Sequence, residues 1–295
     1  MDLPAVHTKT SQKTFTMAQS TLPVKEKLVI VFDFDETLSP PTHELLLQKT
    51  NIDPEKRKSY VQGLLDDGWE KILARGYSLI KSSQESDQKI TRQLLRSVGE
   101  ELELFDGVDT LFDRLRGFCP YEDIEVEFYL LTAGFVEIPM ATPIAGEFTK
   151  IWGGAYAFND QDELVFIKRM ITHEEKREYI QQLAKGTGTK GDNAPADSHR
   201  YVAEEDMYVP FPQIIYVGDG SSDRPVFSLL HEKGGITIGL AKENAAHWKE
   251  DDDLKEKQKV DNLLKVDYTE GSELMQCLQL AIESICKRIM LRKVG

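Results

Sequence analysis

The sequence predicts an α/β fold, a doubly wound, Rossmann-like parallel sheet with a helical module inserted after its first strand. Three observations lead there. Short, unbroken apolar runs recur along the chain, as strands covered on both faces require. Between them the apolar spacing changes to the i, i+3, i+4, i+7 stripe of amphipathic helices. One stretch, residues 43–103, shows helical stripes and no strand-like run.

In chain order, residues 1–24 are rich in Ser, Thr, Gln and Lys without periodicity and predict a loose tail. Leu28 to Phe32 is the first apolar, β-branched run and the first core strand. Residues 43–103 carry the stripes Val61, Leu64, Leu65, Trp69, Ile72, Leu73 and Ile90, Leu94, Leu95, Val98. They form the inserted helical module, and the core comprises residues 25–42 and 104–295. Val108, Leu111, Phe112 and Leu115 mark a core helix, and Val126 to Leu131 the second strand. Ala155 to Phe158 and Glu163 to Ile167, separated by Asn159-Asp160-Gln161-Asp162, read as a small β-hairpin. The Gly-, Asp- and Ala-rich stretch from Lys185 to Val209 predicts a long surface loop. Ile214 to Val217 and Ile236 to Leu240 are further strands, and Leu263 to Tyr268 a weaker one. The mixed charges of Lys249 to Lys259 read as a solvated face. Leu274, Leu278, Ile282, Ile285 and Ile289 form a closing helix.

Composition narrows the function. With 36 basic and 50 acidic residues the net charge is −14. Unspecific binding to nucleic acid or to an anionic membrane needs clustered Lys and Arg, so both are excluded as partners. A small anionic substrate remains compatible, given a metal and a few local cations. Three cysteines, Cys119, Cys277 and Cys286, form no CxxC pair, which points to a reducing cytoplasm rather than a disulfide framework. The first residues hold no apolar signal core, and Leu28 to Phe32 is far too short to cross a bilayer.

The chemistry concentrates where strands end. In an open α/β sheet, ligands bind at the carboxyl ends of the strands. The first strand ends in Asp33-Phe34-Asp35-Glu36-Thr37, and two carboxylates at the lip of a buried strand are costly unless compensated. A helix cap would need one such residue, not two. The second strand ends in Thr132-Ala133-Gly134, a hydroxyl and small residues that let backbone amides approach an anion. The strand from Ile214 ends in Gly218-Asp219-Gly220-Ser221-Ser222-Asp223, with a second carboxylate four residues after the first. His43, His173 and His231 are scattered, none at metal-ligand spacing with another His or Cys.

In this order the motifs resemble those of the haloacid dehalogenase superfamily. Asp33-x-Asp35-x-Thr37 resembles the first motif, Thr132 the second and Gly218-Asp219-x-x-x-Asp223 the fourth. The third is a lysine between them; Lys176, in Thr172 to Ile180, resembles the family's helix start, with Lys168 as the alternative. The insertion and Phe105-Asp106-Gly107-Val108 are similar to the phosphoserine-phosphatase-like branch, whose insertions are helical caps. Two departures count against phosphoserine itself. Ser222 stands where that branch usually has Asn, and the distance from the lysine to the fourth motif is long because of the loop over 185–209. Glu44 is the candidate for a phosphoserine-phosphatase glutamate, with its spacing shifted by Pro40-Pro41.

The resemblance implies a Mg2+-dependent phosphomonoester hydrolase acting on a small phosphorylated metabolite through an aspartyl-phosphate. Asp33 would be the nucleophile and Asp35 the general acid and base. Mg2+ would be held by the Asp33 carboxylate, the Asp35 carbonyl and Asp219, with Asp223 binding or orienting its waters. Lys176, Thr132, Ala133 and Gly134 would hold the phosphoryl oxygens, and Glu44 and Arg75 of the cap would meet the substrate. The alternatives are phosphoserine phosphatase proper, a phosphotransferase of the same family, and a catalytically silent interaction protein on this fold.

Overall fold

The structure, a computed structural model, describes residues 25–187, 201–219, 222–241 and 260–294. The expected tail over 1–24, most of the loop expected over 185–209 and the charged run 249–259 lie outside the described residues. The strands are β1 (Lys27–Phe32), β2 (Glu125–Phe135), β3 (Lys150–Phe158), β4 (Leu164–Arg169), β5 (Ile214–Gly218), β6 (Ile236–Ala241) and β7 (Asn262–Lys265). They form one sheet in the order β4-β3-β2-β1-β5-β6-β7, parallel throughout except for the antiparallel β3–β4 pair.

β1 lies in the middle because its residues are apolar on both faces. Leu28, Ile30 and Phe32 join one buried cluster with Leu111, Phe112, Leu278 and Ile282. Val29 and Val31 join the other, with Ile180, Leu183, Phe227 and Leu230. The first cluster is covered by helices α5 (Leu111–Gly117) and α8 (Glu273–Val294), the second by α6 (His173–Lys185) and α7 (Arg224–Lys233). Each such fully buried side chain contributes about 1.5–3 kcal/mol of transfer free energy.

Register brings the motif-bearing strand ends together. Phe32 pairs with Leu130 of β2 and with Val217 of β5, and the Asp33 amide donates to the Val217 carbonyl at 2.9 Å. Asp33 and Asp219 therefore leave the sheet side by side at the carboxyl ends of β1 and β5, next to β2, which carries Thr132.

Between β1 and β2 the chain forms α1 (Thr42–Thr50), α2 (Pro54–Asp66), α3 (Lys71–Glu85) and α4 (Arg92–Glu101). Their amphipathicity is unequal. α2 buries none of its residues, whereas α3 buries Ala74, Gly76, Ser78, Leu79, Ile80 and Ser83.

Two elements differ from expectation. The hairpin at 155–167 is larger than the sequence suggests: β3 begins at Lys150 and pairs with β2 from Tyr129↔Lys150 to Leu131↔Trp152, so the hairpin completes the sheet edge. It also braces the inserted helices, because the Leu164 amide donates to the Ile90 carbonyl at 2.9 Å and Arg92 pairs with Asp162 at 2.7 Å. The last strand stops at Lys265. Tyr268, expected within it, is instead fully buried, and its hydroxyl donates to the Thr37 carbonyl at 2.9 Å, supporting the loop after β1. Among the described residues no helix is long and apolar enough to cross a membrane.

Candidate active site

The loop after β1 is tightly held. The Thr37 and Leu38 amides both donate to the Phe34 carbonyl, at 3.2 and 2.9 Å, and the Glu36 amide to the Ser39 carbonyl at 2.7 Å. Glu36 takes a left-handed conformation (φ 58°), which costs a non-glycine residue about 1 kcal/mol. This backbone fixes Asp33 and Asp35 relative to each other. Asp33 is buried, and its Oδ1 accepts from the Phe34 amide at 2.8 Å. Asp35 is half-buried, and its Oδ1 accepts from the Thr42 amide at 2.6 Å, at the start of α1.

Lys176 reaches Asp33 from α6. The helix opens with a capping box: the Glu175 amide donates to Thr172 Oγ1 at 3.2 Å, and the Thr172 amide donates to Glu175 Oε2 at 2.7 Å. That cap puts Lys176 in the first turn, where only 1% of its surface is exposed. Its Nζ lies 2.8 Å from Asp33 Oδ2 and 2.7 Å from Asp223 Oδ1, and donates to Ser222 Oγ at 3.3 Å. Lys168 is exposed on β4. Burial alone would depress the Lys176 ammonium, but the charges of Asp223 and Asp33 outweigh it and raise it above its ordinary value.

Asp223 stands at the N-cap position of α7 yet makes no cap hydrogen bond. Its fully buried carboxylate turns inward, accepting from Lys176 and, at 2.6 Å, from the Tyr216 hydroxyl. Gly218 makes room for it: a Cβ there would lie 2.4 Å from Asp223 Oδ2. The Gly-Asp-Gly stretch is thus more than a turn; its first glycine lets the second carboxylate return over the strand.

One carboxylate oxygen from each of Asp33, Asp219 and Asp223 lies within 4.8 Å of the others. Burial, then repulsion from Asp33, Asp223 and Glu36, pushes Asp219 up to about 8. Asp33 rises to about 7, chiefly by burial, with Asp223 adding to the rise and Lys176 opposing it. Three carboxylates against one ammonium leave an excess of negative charge. An all-oxygen donor set of this kind fits a hard divalent cation such as Mg2+.

Thr132 is buried, and its Oγ1 accepts from the Gly134 amide at 3.0 Å. A Cβ at Gly134 would lie 3.1 Å from Asp35 Oδ2, so only a bare backbone sits comfortably against that carboxylate. Ala133, Gly134 and Asp35 form one wall of a cavity of about 570 Å3. Much of the remaining lining comes from three of the inserted helices, α1, α2 and α3. Pro54, Arg57, Lys58 and Val61 come from α2, and Ile72, Arg75, Gly76 and Leu79 from α3.

Not every expected residue is there. Arg75 lines the cavity, but Glu44 does not. Thr42, His43, Leu46 and Leu47 are the cavity-facing residues of α1, and Glu44 is off that face; it is exposed in a neighbouring hollow beside Gln48 and Asn51. Glu44, expected to meet the substrate, thus lies outside this lining. Trp69 and Tyr77 stack on each other with centroids 5.0 Å apart, outside the cavity. His43 and His173, both exposed, also line it, and burial followed by the Lys176 charge lowers His173. Sequence reasoning missed Tyr216 and Arg57, and gave Ser222 no role beyond its place in the fourth motif. Tyr216 is a polar-tipped residue inside an apolar strand, which is a readable signal. Arg57 sits in the charged run Glu55-Lys56-Arg57-Lys58, which looks like a solvated face.

No family model matches the chain. An uncharacterized protein of Borreliella burgdorferi is 22% identical to it, with 88% of this chain and 96% of that protein covered. Among solved structures, a phospho-aspartyl intermediate analogue of phosphoserine phosphatase superposes with a TM-score of 0.55 at 16% identity, covering 87% of this chain and 99% of the other. A HAD-family hydrolase from Salmonella enterica serovar Typhi gives 0.55 at 13% identity, covering 87% and 71%. A probable phosphoserine phosphatase from Vibrio cholerae gives 0.56 at 13%, covering 91% and 69%. At these identities the likeness is one of fold: the chain has the α/β fold seen in these haloacid dehalogenase-type hydrolases.

Proposed function

We propose that this chain is a Mg2+-dependent phosphomonoester hydrolase of the haloacid dehalogenase family, working through a phosphoryl-Asp33 intermediate. The observation that carries the reading is Lys176 Nζ held between Asp33 and Asp223, with Asp219 alongside, at the carboxyl ends of β1 and β5. A purely structural role gives no reason to gather three buried or half-buried aspartates around one lysine, because burying charge is unfavourable.

Asp33, Asp219 and Asp223 would hold the cation, together with the Asp35 carbonyl. Mg2+ when bound would neutralise charge on the carboxylates and the phosphoryl oxygens, allowing a dianionic ester to approach. Asp33 then attacks phosphorus in line, and the bond to the leaving oxygen breaks. Burial raises Asp35 above the ordinary carboxylate range, which favours the protonated form a general acid needs. The Thr42 amide at 2.6 Å orients its carboxyl. Its proton passes to the leaving oxygen, and the resulting carboxylate takes a proton from the water that attacks phosphorus. Asp33 and inorganic phosphate are released. The Lys176 ammonium would compensate Asp33 throughout, and Thr132, Ala133 and Gly134 would hold the equatorial phosphoryl oxygens.

The inserted helical module is proposed as a cap whose helices α1, α2 and α3 supply the leaving-group side of the cavity and limit water there. Free Cys119, Cys277 and Cys286 support a reducing, cytoplasmic setting. The test is hydrolysis of an aryl phosphate by the full chain. Turnover should vanish in EDTA and return with Mg2+; turnover undiminished by EDTA refutes the metal assignment.

A further inference from the structure

Resting on the phosphatase reading, we propose that the substrate's leaving group is a second anion on an apolar body, bearing no ammonium group, so that the enzyme selects dianion-type esters over amino-acid phosphates. Its phosphate end would meet Asp35, Ala133 and Gly134, and its second anion would meet Arg57 and Arg75.

Size comes first. About 570 Å3 is far more than a phosphoryl group and a three-carbon alcohol fill, and lies in the range of sites for larger metabolites. Most of the lining is apolar, with Leu46, Val61, Leu79, Phe135, Tyr156 and Met170 on several sides. An apolar body is therefore accommodated without leaving polar groups unpaired.

Charge comes second. Among the described lining residues, Asp35 is the one carboxylate, and the mechanism uses it at the phosphate. The cap side carries Arg57, Lys58 and Arg75 and no acid. An ammonium group on the substrate would face three cations with no counter-charge. Glu44, the acid of α1 expected to meet the substrate, lies on another face of that helix.

Arg57 supplies the independent observation. One of its Nη atoms donates to the Arg75 carbonyl at 3.3 Å, which ties α2 to α3. Its Nε is buried and makes no hydrogen bond. A buried, unsatisfied donor of this kind costs about 1–3 kcal/mol. Burial, and then the Arg75 charge, also depress the Arg57 guanidinium. A carboxylate, sulfonate or second phosphate between the two arginines would satisfy the donor and relieve the repulsion together.

Three para-substituted phenyl phosphates test this, since a methylene insulates the leaving oxygen from the substituent: carboxymethyl, methyl and aminomethyl. For the wild-type chain with Mg2+, kcat/KM should fall in that order, with about tenfold or more between the first and last. Arg57→Met and Arg75→Met keep the apolar stems and should shrink that ratio to within about threefold, while Arg57→Lys should retain part of it. Equal or reversed preference in the wild type overturns the proposal while leaving the phosphatase reading standing. So does a ratio unchanged in both Met variants. If none of the three esters is hydrolysed, the phosphatase reading fails and takes this inference with it.

Discussion

Replacing Lys176 with Met should destabilise the protein in a pH-dependent way. The side chain is 1% exposed, and its Nζ lies 2.8 Å from Asp33 and 2.7 Å from Asp223. Met keeps most of the stem's volume and removes only the charge. Taking one partner from a buried ion pair costs about 3–5 kcal/mol. Two carboxylates are orphaned here, yet each keeps a donor: the Phe34 amide at 2.8 Å for Asp33 and the Tyr216 hydroxyl at 2.6 Å for Asp223. Each can also shed its charge by taking up a proton. That escape costs about 1.4 kcal/mol for every pH unit above the ordinary carboxylate value, so it caps the penalty near 4 kcal/mol per group at neutral pH. The expected loss relative to wild type is about 3–5 kcal/mol at pH 7.5. It should shrink by about 1.4 kcal/mol per pH unit on acidification, as one orphaned carboxylate protonates. Urea unfolding of both proteins in EDTA at pH 7.5 and 5.5 measures the difference. A loss below about 1 kcal/mol at pH 7.5, or the same loss at both pH values, would refute the claim that Lys176 compensates these charges.

Three further outcomes are expected. Gly218→Ala forces a Cβ to within 2.4 Å of the Asp223 carboxylate and should cost about 1–3 kcal/mol in urea unfolding, together with most of the activity; a neutral substitution would contradict the packing described. In the metal-free protein, Asp33 and Asp219 are raised to about 7 and about 8 from 3.8, so the folded state holds protons that the unfolded chain releases at lower pH. Stability from this source is complete below about pH 4 and is lost as pH rises through 7–8. The melting temperature in EDTA should therefore fall between pH 6 and 8, and Mg2+ should raise it more at pH 8 than at pH 6; a larger Mg2+ effect at pH 6 would contradict the charge assignment. Glu44→Ala should leave kcat/KM within about twofold for every phosphate ester tested, because the side chain is outside the cavity; a larger selective loss would restore it as a substrate contact.

Much of the fold was legible because parallel strands buried on both faces are continuous apolar runs, and β1, β2, β5 and β6 all are. The strand-end aspartates were legible for a related reason: charge at the lip of such a run demands compensation. What escaped was set by long-range packing. The start of β3 at Lys150 has no turn or apolar signal of its own, since its place is fixed by pairing with β2. Tyr268 continues an apolar pattern, but a hydroxyl partner on the loop after β1 draws it out of the strand. Arg57 looked solvated because it stands in the charged first turn of α2, a helix that buries no residue; the packing of α2 against α3 brings part of that turn to the cavity. Lys176 was favoured over Lys168 by the likeness of Thr172 to Ile180 to the family's helix start, and the capping box Thr172-x-x-Glu175 sets that start in the structure.

The central claim, that Asp33 carries the phosphoryl group, is tested most directly by trapping it. The full chain with Mg2+ and an aryl phosphate, quenched in acid during turnover and digested, should yield the peptide containing Asp33 heavier by one phosphoryl group. Hydroxylamine should remove the label, as it does from an acyl phosphate, and Asp33→Asn should show neither label nor turnover. Steady hydrolysis with no label on Asp33, or with the label on another residue, would contradict the account.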